Sequence, residues 1–195
     1  MRSCPPQPAS QIREPSVLVE PVDPSIPEVL RVEPDVHRDD RGFFLETFNA
    51  HRFSELSGLD VEFVQDNHSR SVRGVLRGIH YQVRPHSQGK LVRCATGRVF
   101  DVAVDLREGS PTLGGWAAMM LDDENHNQIW VPPGFGHGFV VLSDVADVCY
   151  KTTTFYHAES ERVVSWDDAA FGIEWPSEMD DPILSERDRN APSFA

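Results

Sequence analysis

Most of the chain is a succession of short segments rich in β-branched and aromatic residues, separated by turns rich in Gly, Pro, Asn and Asp. The clearest is residues 99–106, where Val102 and Val104 alternate with Asp101 and Asp105. This period of two is typical of a β-strand. About ten such strands at short spacing, without alternating helices, predict an antiparallel sandwich or barrel, and best a jelly roll. A doubly wound fold is disfavoured.

Two short helical segments interrupt the strands. Asn49 can cap a helix that runs through Leu56, and a Ser-Gly pair would end it. Ser185 can cap a helical turn through Arg189. The predicted strands cover residues 43–48, 61–67, 75–82, 90–95, 99–106, 116–121, 128–131, 138–142, 148–156 and 162–166.

The chain divides into an arm and one domain. Residues 1–28 contain seven prolines and little periodicity, which favours a mobile or loosely draped arm. Residues 29–195 show no repeat and no second change of composition, so we expect one jelly-roll domain. A chain of 195 residues can bury a core of this kind without disulfides or metals.

The bulk properties exclude several classes of function. A net charge of −13 would repel the phosphate backbone of a nucleic acid. We find no apolar run of membrane-spanning length and no secretory signal. The three cysteines are scattered without paired spacing, which fits a reducing cytoplasm.

One segment reverses the overall charge. Residues 70–98 carry seven Arg or Lys residues and no Asp or Glu. The functional interpretation is a pocket for a small anion such as a diphosphate. The structural alternative, solvated charges at strand edges, is equally consistent with the charge alone.

Four polar phrases interrupt apolar surroundings. An inward polar side chain must be hydrogen-bonded or it destabilises the fold, so a barrel interior that gathers such groups is expected to be a binding cavity. The phrases are residues 63–70, 76–82, 88–90 and 134–139.

His80 is the main candidate for acid–base chemistry, although most isolated histidines are structural. The nearby cations Arg77 and Lys90 would favour a neutral imidazole, which can act as a general base. Simple alternation puts Arg77 and His80 on opposite faces, and a bulge at Gly78 could re-aim one of them. Tyr150 lies beside Lys151, in a chain whose only lysines are Lys90 and Lys151.

Other chemistries find little support. A metal-binding jelly roll would need a second ligand two residues after His80, where this chain has Gln82, and a polar residue at Val141. We find no nucleophile elbow, no cysteine with an evident histidine partner and no phosphate-binding glycine loop.

Several phrases together resemble the dTDP-4-dehydrorhamnose 3,5-epimerases. The similarity extends in order from about residue 29 to the C-terminus. It rests on residues 40–48, 63–70, 74–82, 88–93, 99–107 and 130–139 and on the pair Tyr150-Lys151.

The resemblance implies a cupin-type jelly roll that forms a homodimer and uses no metal and no organic cofactor. It implies inversion of C3 and C5 of dTDP-4-dehydro-6-deoxy-D-glucose, which gives dTDP-4-dehydro-L-rhamnose. In the family, a strand of one subunit reaches the pocket of its partner.

The resemblance also implies roles for individual residues. His80 matches the general base, Asp188 its carboxylate partner, Tyr150 the general acid and Lys90 the cation near the enolate. Arg187 stands where we expect Lys in many relatives, and either cation suits a diphosphate. The remaining substrate contacts match at Arg41, Glu46, Gln65, Asn67, Arg77, His137, Tyr156 (which would stack on thymine) and Glu161.

Three alternatives remain open at this point. A mono-epimerase would share the base and the acid and invert only C3 or C5. A non-catalytic cupin would bind the sugar nucleotide without exchanging its hydrogens. A metal-dependent cupin oxygenase would contain bound metal.

Overall fold

The computed structural model describes residues 17–179 and 181–194, which form an antiparallel jelly roll of two facing sheets. The larger sheet has the strand order β1-β2-β10-β7-β12-β5, and the smaller has β13-β6-β11-β8-β9. A separate hairpin, β3-β4, belongs to neither. The strands are β1 (Leu18–Pro21), β2 (Leu30–Glu33), β3 (Val36–Asp39), β4 (Gly42–Leu45), β5 (Gln65–Val72), β6 (Leu76–Gln82), β7 (Lys90–Thr96), β8 (Arg98–Asp105), β9 (Trp116–Asp122), β10 (Gln128–Val131), β11 (Phe135–Val141), β12 (Val145–Thr152) and β13 (Glu161–Val163).

The predicted jelly roll and both predicted helices are confirmed. The first helix, α1 (Ala50–Ser57), begins at Asn49, whose side chain accepts the Arg52 backbone N–H, and ends at Gly58 in the left-handed conformation. The second, α2 (Glu186–Arg189), begins at Ser185. None of the helices in the described part of the chain is long and apolar enough to cross a membrane.

Several strand boundaries were predicted wrongly: β4, β12 and β13 end three or four residues before the predicted positions, and β1, β2 and β3 were not among the predicted strands. The difference that matters for the site concerns β5. Residues 61–64 lie before the ladder, because Val61 and Phe63 pack against Phe53 and Trp130 instead. The strand is the polar run of β5, which pairs with β12 along its length. Its side chains alternate between half-buried and mostly exposed, because β5 has a cavity on one side and the outer surface on the other.

The predicted arm overlaps the folded region. Leu18–Pro21 pairs with Leu30–Glu33 as an outer strand of the larger sheet, a position that tolerates the proline. Ile26 is buried in the main core. Residues 1–16 of the predicted arm lie outside the described residues.

The core lies between and behind the sheets. β8 is buried on both faces: Val102 and Val104 pack under the C-terminal segment, whereas Val99 and Ala103 face the larger sheet. Asp101, on this second face, is fully buried. The interval between the sheets therefore holds polar groups as well as apolar ones, and the candidate site lies there.

Candidate active site

Two adjoining cavities lie between the sheets and share His80, Lys90 and Tyr150. One has a volume of about 430 Å³ and the other about 250 Å³. The first is also lined by Arg77, His137 and Asp188, and the second by Gln65, Asn67, Tyr156 and Glu161. Of the thirteen residues predicted for the site, these ten line the cavities, and Arg187 adjoins them through an ion pair with Glu161.

A β-bulge brings Arg77 and His80 to the same cavity. On β11, His137 lies opposite His80 and Phe139 lies opposite Arg77, so the register shifts between the two pairs. Between the two pairs β6 advances by three residues and β11 by two, so β6 contains one extra residue, which is a β-bulge. Gly78 sits inside this shift with a φ of +130°, a conformation that favours glycine. Arg77 and His80 therefore face the same cavity, although simple alternation puts them on opposite faces of the strand.

His80 is held by a buried carboxylate. Its Nε2 lies 2.5 Å from Oδ1 of Asp188, and the Asp188 side chain is almost completely buried. An ionised carboxylate can only accept, so His80 donates from Nε2, and in the neutral imidazole the lone pair is then on Nδ1. Nδ1 lies 3.9 Å from Oε1 of Glu161, on the side of the second cavity. This arrangement leaves Nδ1 free to accept a proton.

Lys90 is a buried cation with spare hydrogen-bonding capacity. Its Nζ lies 3.4 Å from the backbone oxygen of His80. Burial lowers the pKa of Lys90 to about 8, although the nearby carboxylates of Asp101 and Glu161 act in the opposite direction. An ammonium has three donors, so Lys90 can still bind an oxygen of a ligand.

Tyr150 enters the cavities from the larger sheet. Burial raises the pKa of its phenol, and the positive charge of Arg77 opposes that shift. The phenol is therefore held in its protonated form at neutral pH, as a proton donor requires. The adjacent Lys151 points to the outer face, where its Nζ lies 2.9 Å from Asp66.

Tyr156 and Glu161 form the open end of the second cavity. Tyr156 is about half exposed and its hydroxyl donates to Glu161 Oε2 over 2.8 Å. The same carboxylate pairs with Arg187. Gln65 Oε1 accepts the backbone N–H of Tyr156 over 3.0 Å, and its Nε2 donates to Asn67. An exposed ring beside a cation suits a nucleotide with its diphosphate.

Arg41 and Glu46 lie outside these cavities. Arg41 is at the tip of the β3-β4 hairpin, its side chain 90% exposed and paired with Asp39. Glu46 follows β4 and pairs with Arg52 over 2.6 Å. Neither residue lines the two cavities of the described chain.

The basic segment divides between the two interpretations. Arg77 and Lys90 line the cavities, as an anion pocket predicts. Three others have exposed side chains that pair with carboxylates, as the structural alternative predicts: Arg70 with Asp147, Arg73 with Asp144 and Arg98 with Glu178.

Sequence reasoning missed Asp101. Its carboxylate is fully buried and lies 2.9 Å from Nε2 of His137, so it fixes the ring that lines the first cavity. The available signal was an acidic residue in the middle of a strand whose neighbouring positions are apolar. No group of three or more His, Cys, Asp or Glu residues within 17–179 and 181–194 is placed to hold a metal ion.

Comparisons with known proteins agree on one family. The family model described as dTDP-4-dehydrorhamnose 3,5-epimerase matches residues 23–195. The dTDP-4-dehydrorhamnose 3,5-epimerase of Pseudomonas aeruginosa is 57% identical over 88% of this chain and 93% of its own length. The enzyme of the same name from Shigella flexneri is 55% identical over 87% of this chain and 92% of its own length.

A solved structure shares the fold. It is a dTDP-6-deoxy-D-glucose-3,5-epimerase from Legionella pneumophila in complex with dTDP-4-keto-L-rhamnose. It superposes with a TM-score of 0.86 at 47% sequence identity, covering 91% of this chain and 93% of the other.

Proposed function

Because this chain belongs to the dTDP-4-dehydrorhamnose 3,5-epimerase family, we propose that it inverts C3 and C5 of dTDP-4-dehydro-6-deoxy-D-glucose, giving dTDP-4-dehydro-L-rhamnose. The reaction is an isomerisation by proton transfer. It requires one group that removes a proton from a carbon, another that returns a proton from the opposite side, and a charge that stabilises the intermediate.

The observation that carries the proposal is the pairing of His80 and Tyr150 across one cavity. His80 is on β6 of the smaller sheet and Tyr150 is on β12 of the larger sheet, and both line the same two cavities. A hexose held between the sheets would have a base towards one face and a phenol towards the other. Two groups on opposite faces are the minimum for inversion.

Proton removal is assigned to His80. The C4 ketone acidifies the hydrogens at C3 and C5, since the electron pair of a broken C–H bond delocalises into an enolate. The proton passes to Nδ1, while Nε2 stays hydrogen-bonded to Asp188. The ammonium of Lys90 stabilises the enolate oxygen, a preorganised electrostatic effect of about 3–4 kcal/mol in comparable sites.

Proton return is assigned to Tyr150. As the enolate carbon takes the phenolic proton from the opposite side, the new C–H bond has inverted configuration and the tyrosine becomes a phenolate. Exchange with solvent then restores both residues. No electrons are gained or lost over the cycle, which is consistent with a reaction that needs no redox cofactor.

The remaining cavity residues orient the substrate. Arg77 and Arg187 would bind the diphosphate, and Tyr156 would stack on thymine. Gln65, Asn67, His137 and Glu161 would hydrogen-bond the sugar. Such positioning contributes to rate because it removes the entropy of aligning the carbon with the base.

We also propose that the active form is a homodimer. Arg41 and Glu46 lie outside the cavities of their own chain, on or beside a hairpin that presents Phe43 and Phe44 to solvent. Exposed aromatic side chains on a projecting hairpin are typical of an interaction surface. In this arrangement each hairpin completes the pocket of the partner subunit.

The test is incubation with dTDP-4-dehydro-6-deoxyglucose in D₂O, followed by NMR of the sugar. We expect deuterium at both C3 and C5 and formation of the L-configured product. His80→Asn should abolish deuterium incorporation, and Tyr150→Phe should abolish product formation. His68→Asn is the matched control, because His68 is an exposed histidine on the outer face.

The same spectra separate the alternatives. Deuterium at only one of the two carbons would make the protein a mono-epimerase. Binding of dTDP without any deuterium incorporation would make it a non-catalytic sugar-nucleotide binder. Full activity of either variant would reject the assignment of the base or the acid.

A further inference from the structure

Asp188 is fixed on all sides. Its side chain is 3% exposed. Oδ1 accepts from His80 and Oδ2 accepts from the Ser185 hydroxyl over 2.7 Å, and the nearby backbone N–H of Gly78 helps to lower the pKa of the carboxyl. A carboxylate in this setting has little freedom to rotate. Each hydrogen bond therefore contributes to the direction in which Oδ1 points.

The Ser185 hydroxyl serves two partners in the same residue. It donates to Asp188 Oδ2, and it accepts the Asp188 backbone N–H over 3.1 Å. The second bond is an ordinary helix N-cap, which would stabilise α2 whatever its sequence. The first bond is different, because it joins the cap directly to the side chain that holds His80.

We propose that Ser185 is a positioning residue for the proposed reaction, whose hydroxyl holds Asp188 so that His80 keeps its proton on Nε2 and its lone pair on Nδ1. The chain His80–Asp188–Ser185 thus extends the histidine–carboxylate pair by one member. This inference rests on the proposed function for its kinetic consequence. Its structural consequence, the tautomer of His80, does not depend on the substrate.

Electrostatics supports a role beyond capping. Burial alone would raise the pKa of Asp188, but hydrogen bonds from His80 and Ser185 outweigh burial and lower it. Loss of the hydroxyl would weaken the preference for the anion and free Oδ2 to rotate. An anion with a fixed Oδ1 is what selects the Nε2–H tautomer of an adjacent imidazole.

Three substitutions separate positioning from capping. Ser185→Thr keeps the hydroxyl and the cap. Ser185→Ala removes both. Ser185→Gly keeps most of the stability of the cap, removes the hydroxyl and adds no charge beside Asp188. Each variant would be assayed for kcat and KM, and the His80 ring would be examined by ¹⁵N NMR in the free full-length protein.

We expect Ser185→Ala and Ser185→Gly to lower kcat about tenfold, as when one hydrogen bond to a charged group is lost. KM should stay within about twofold, because Arg187 remains on α2 to bind the diphosphate. The Nε2–H tautomer of His80 should lose population in both variants, and Ser185→Thr should restore the tautomer and the rate.

One result would contradict the positioning role of Ser185, and another would contradict the proposed function. A Ser185→Gly variant with the kcat and the tautomer of the unchanged protein would show that capping is the only role, and would overturn the inference. If Ser185→Ala does not fold, Ser185→Gly against Ser185→Thr gives the same decision. An unchanged protein that incorporates no deuterium would reject the proposed function, while the NMR comparison would still test the hydroxyl.

Discussion

Lys90 and His80 belong to different sheets, yet Lys90 Nζ lies 3.4 Å from the backbone oxygen of His80. This contact places the only buried lysine of the described chain beside the proposed base. Among the described residues the ammonium makes one hydrogen bond, so two of its three N–H donors are available to a ligand.

The charge of Lys90 should set the alkaline limit of activity. Its pKa is lowered to about 8, and the proposed mechanism needs the protonated form. We therefore expect kcat/KM to fall as pH rises above about 8. Lys90→Arg keeps its charge at every accessible pH and should move that limit upward. Lys90→Met should lower kcat by about 10²–10³-fold at all pH values.

Lys151→Met is the matched control for this experiment. Lys151 is the other lysine of the chain and pairs with Asp66 on the outer face. The Lys151→Met variant should show the same alkaline limit of kcat/KM as the unchanged protein. An unchanged limit in Lys90→Arg would assign the limit to another group.

The same lysine should cost stability at neutral pH. Its pKa is about 10.5 in the unfolded chain and about 8 in the folded chain, so the unfolded state binds more protons between these values. Stability therefore rises as pH increases from about 8 to about 10.5, and the full cost, about 3 kcal/mol, applies below pH 8. Urea unfolding of Lys90→Met should show a gain at pH 7 that shrinks by pH 10. A gain that is independent of pH would indicate better packing instead of relief of a buried charge.

Mixed dimers should reveal which subunit supplies the hairpin. Arg41→Ala and His80→Asn should each be poorly active alone. Subunits of the two variants, unfolded together and refolded as a mixture, should regain up to about half of the normal activity per hybrid dimer. The reason is that one pocket of the hybrid would combine an intact His80 with an intact Arg41 from the partner subunit. If the mixture is no more active than its components, Arg41 does not contribute to the pocket of the partner subunit.

The bulge in β6 should depend on Gly78. A Cβ at Gly78 would lie 2.5 Å from the Gly138 Cα, and the residue has a φ of +130°. We expect Gly78→Ala to lower the melting temperature and remove activity, because relieving the clash would change the register that aligns Arg77 with His80.

Gly42→Ala separates the two causes. Gly42 has a similar φ of +125° with nothing within 4 Å of its Cβ position. Gly42→Ala should show only the backbone cost of about 1–3 kcal/mol. Equal losses of stability in the two variants would show that the close approach to β11 is unimportant.

The sequence predicted the elements whose signals are local. Asn49, Gly58 and Ser185 are cap residues, and the helices begin and end where these residues indicate. The alternation in β8 was also correct. The side of β8 that carries Asp101 faces the interior, where the carboxylate is hydrogen-bonded to His137 on the neighbouring strand β11. The local sequence of β8 does not show that this partner exists.

The residues that line the two cavities were largely predictable from the motifs, but their geometry was not. Motif resemblance supplied His80, Tyr150 and Lys90, which share both cavities. The bulge that aligns Arg77 with His80 depends on the register between β6 and β11, a tertiary property. The strand that became β5 was predicted at 61–67, whereas it covers Gln65–Val72. The prediction stopped before the end of the polar run because polar residues such as Asn67 are uncommon in strands. They are tolerated here because one face of β5 lines a cavity and the other is exposed.

The alternation along β5 makes the length of the preceding loop a functional constraint. Gln65 and Asn67 turn towards the substrate cavity, whereas Asp66 and His68 turn to the opposite surface. Inserting or deleting one residue in 61–64, if it slid the strand by one place, would exchange these two sets and point carboxylate and imidazole groups at the sugar. Loops usually vary in length among relatives, but the length of this one should be constant. An active relative with one residue more or fewer in this loop would need a compensating change elsewhere in β5, such as a bulge, that keeps the same side chains facing the cavity.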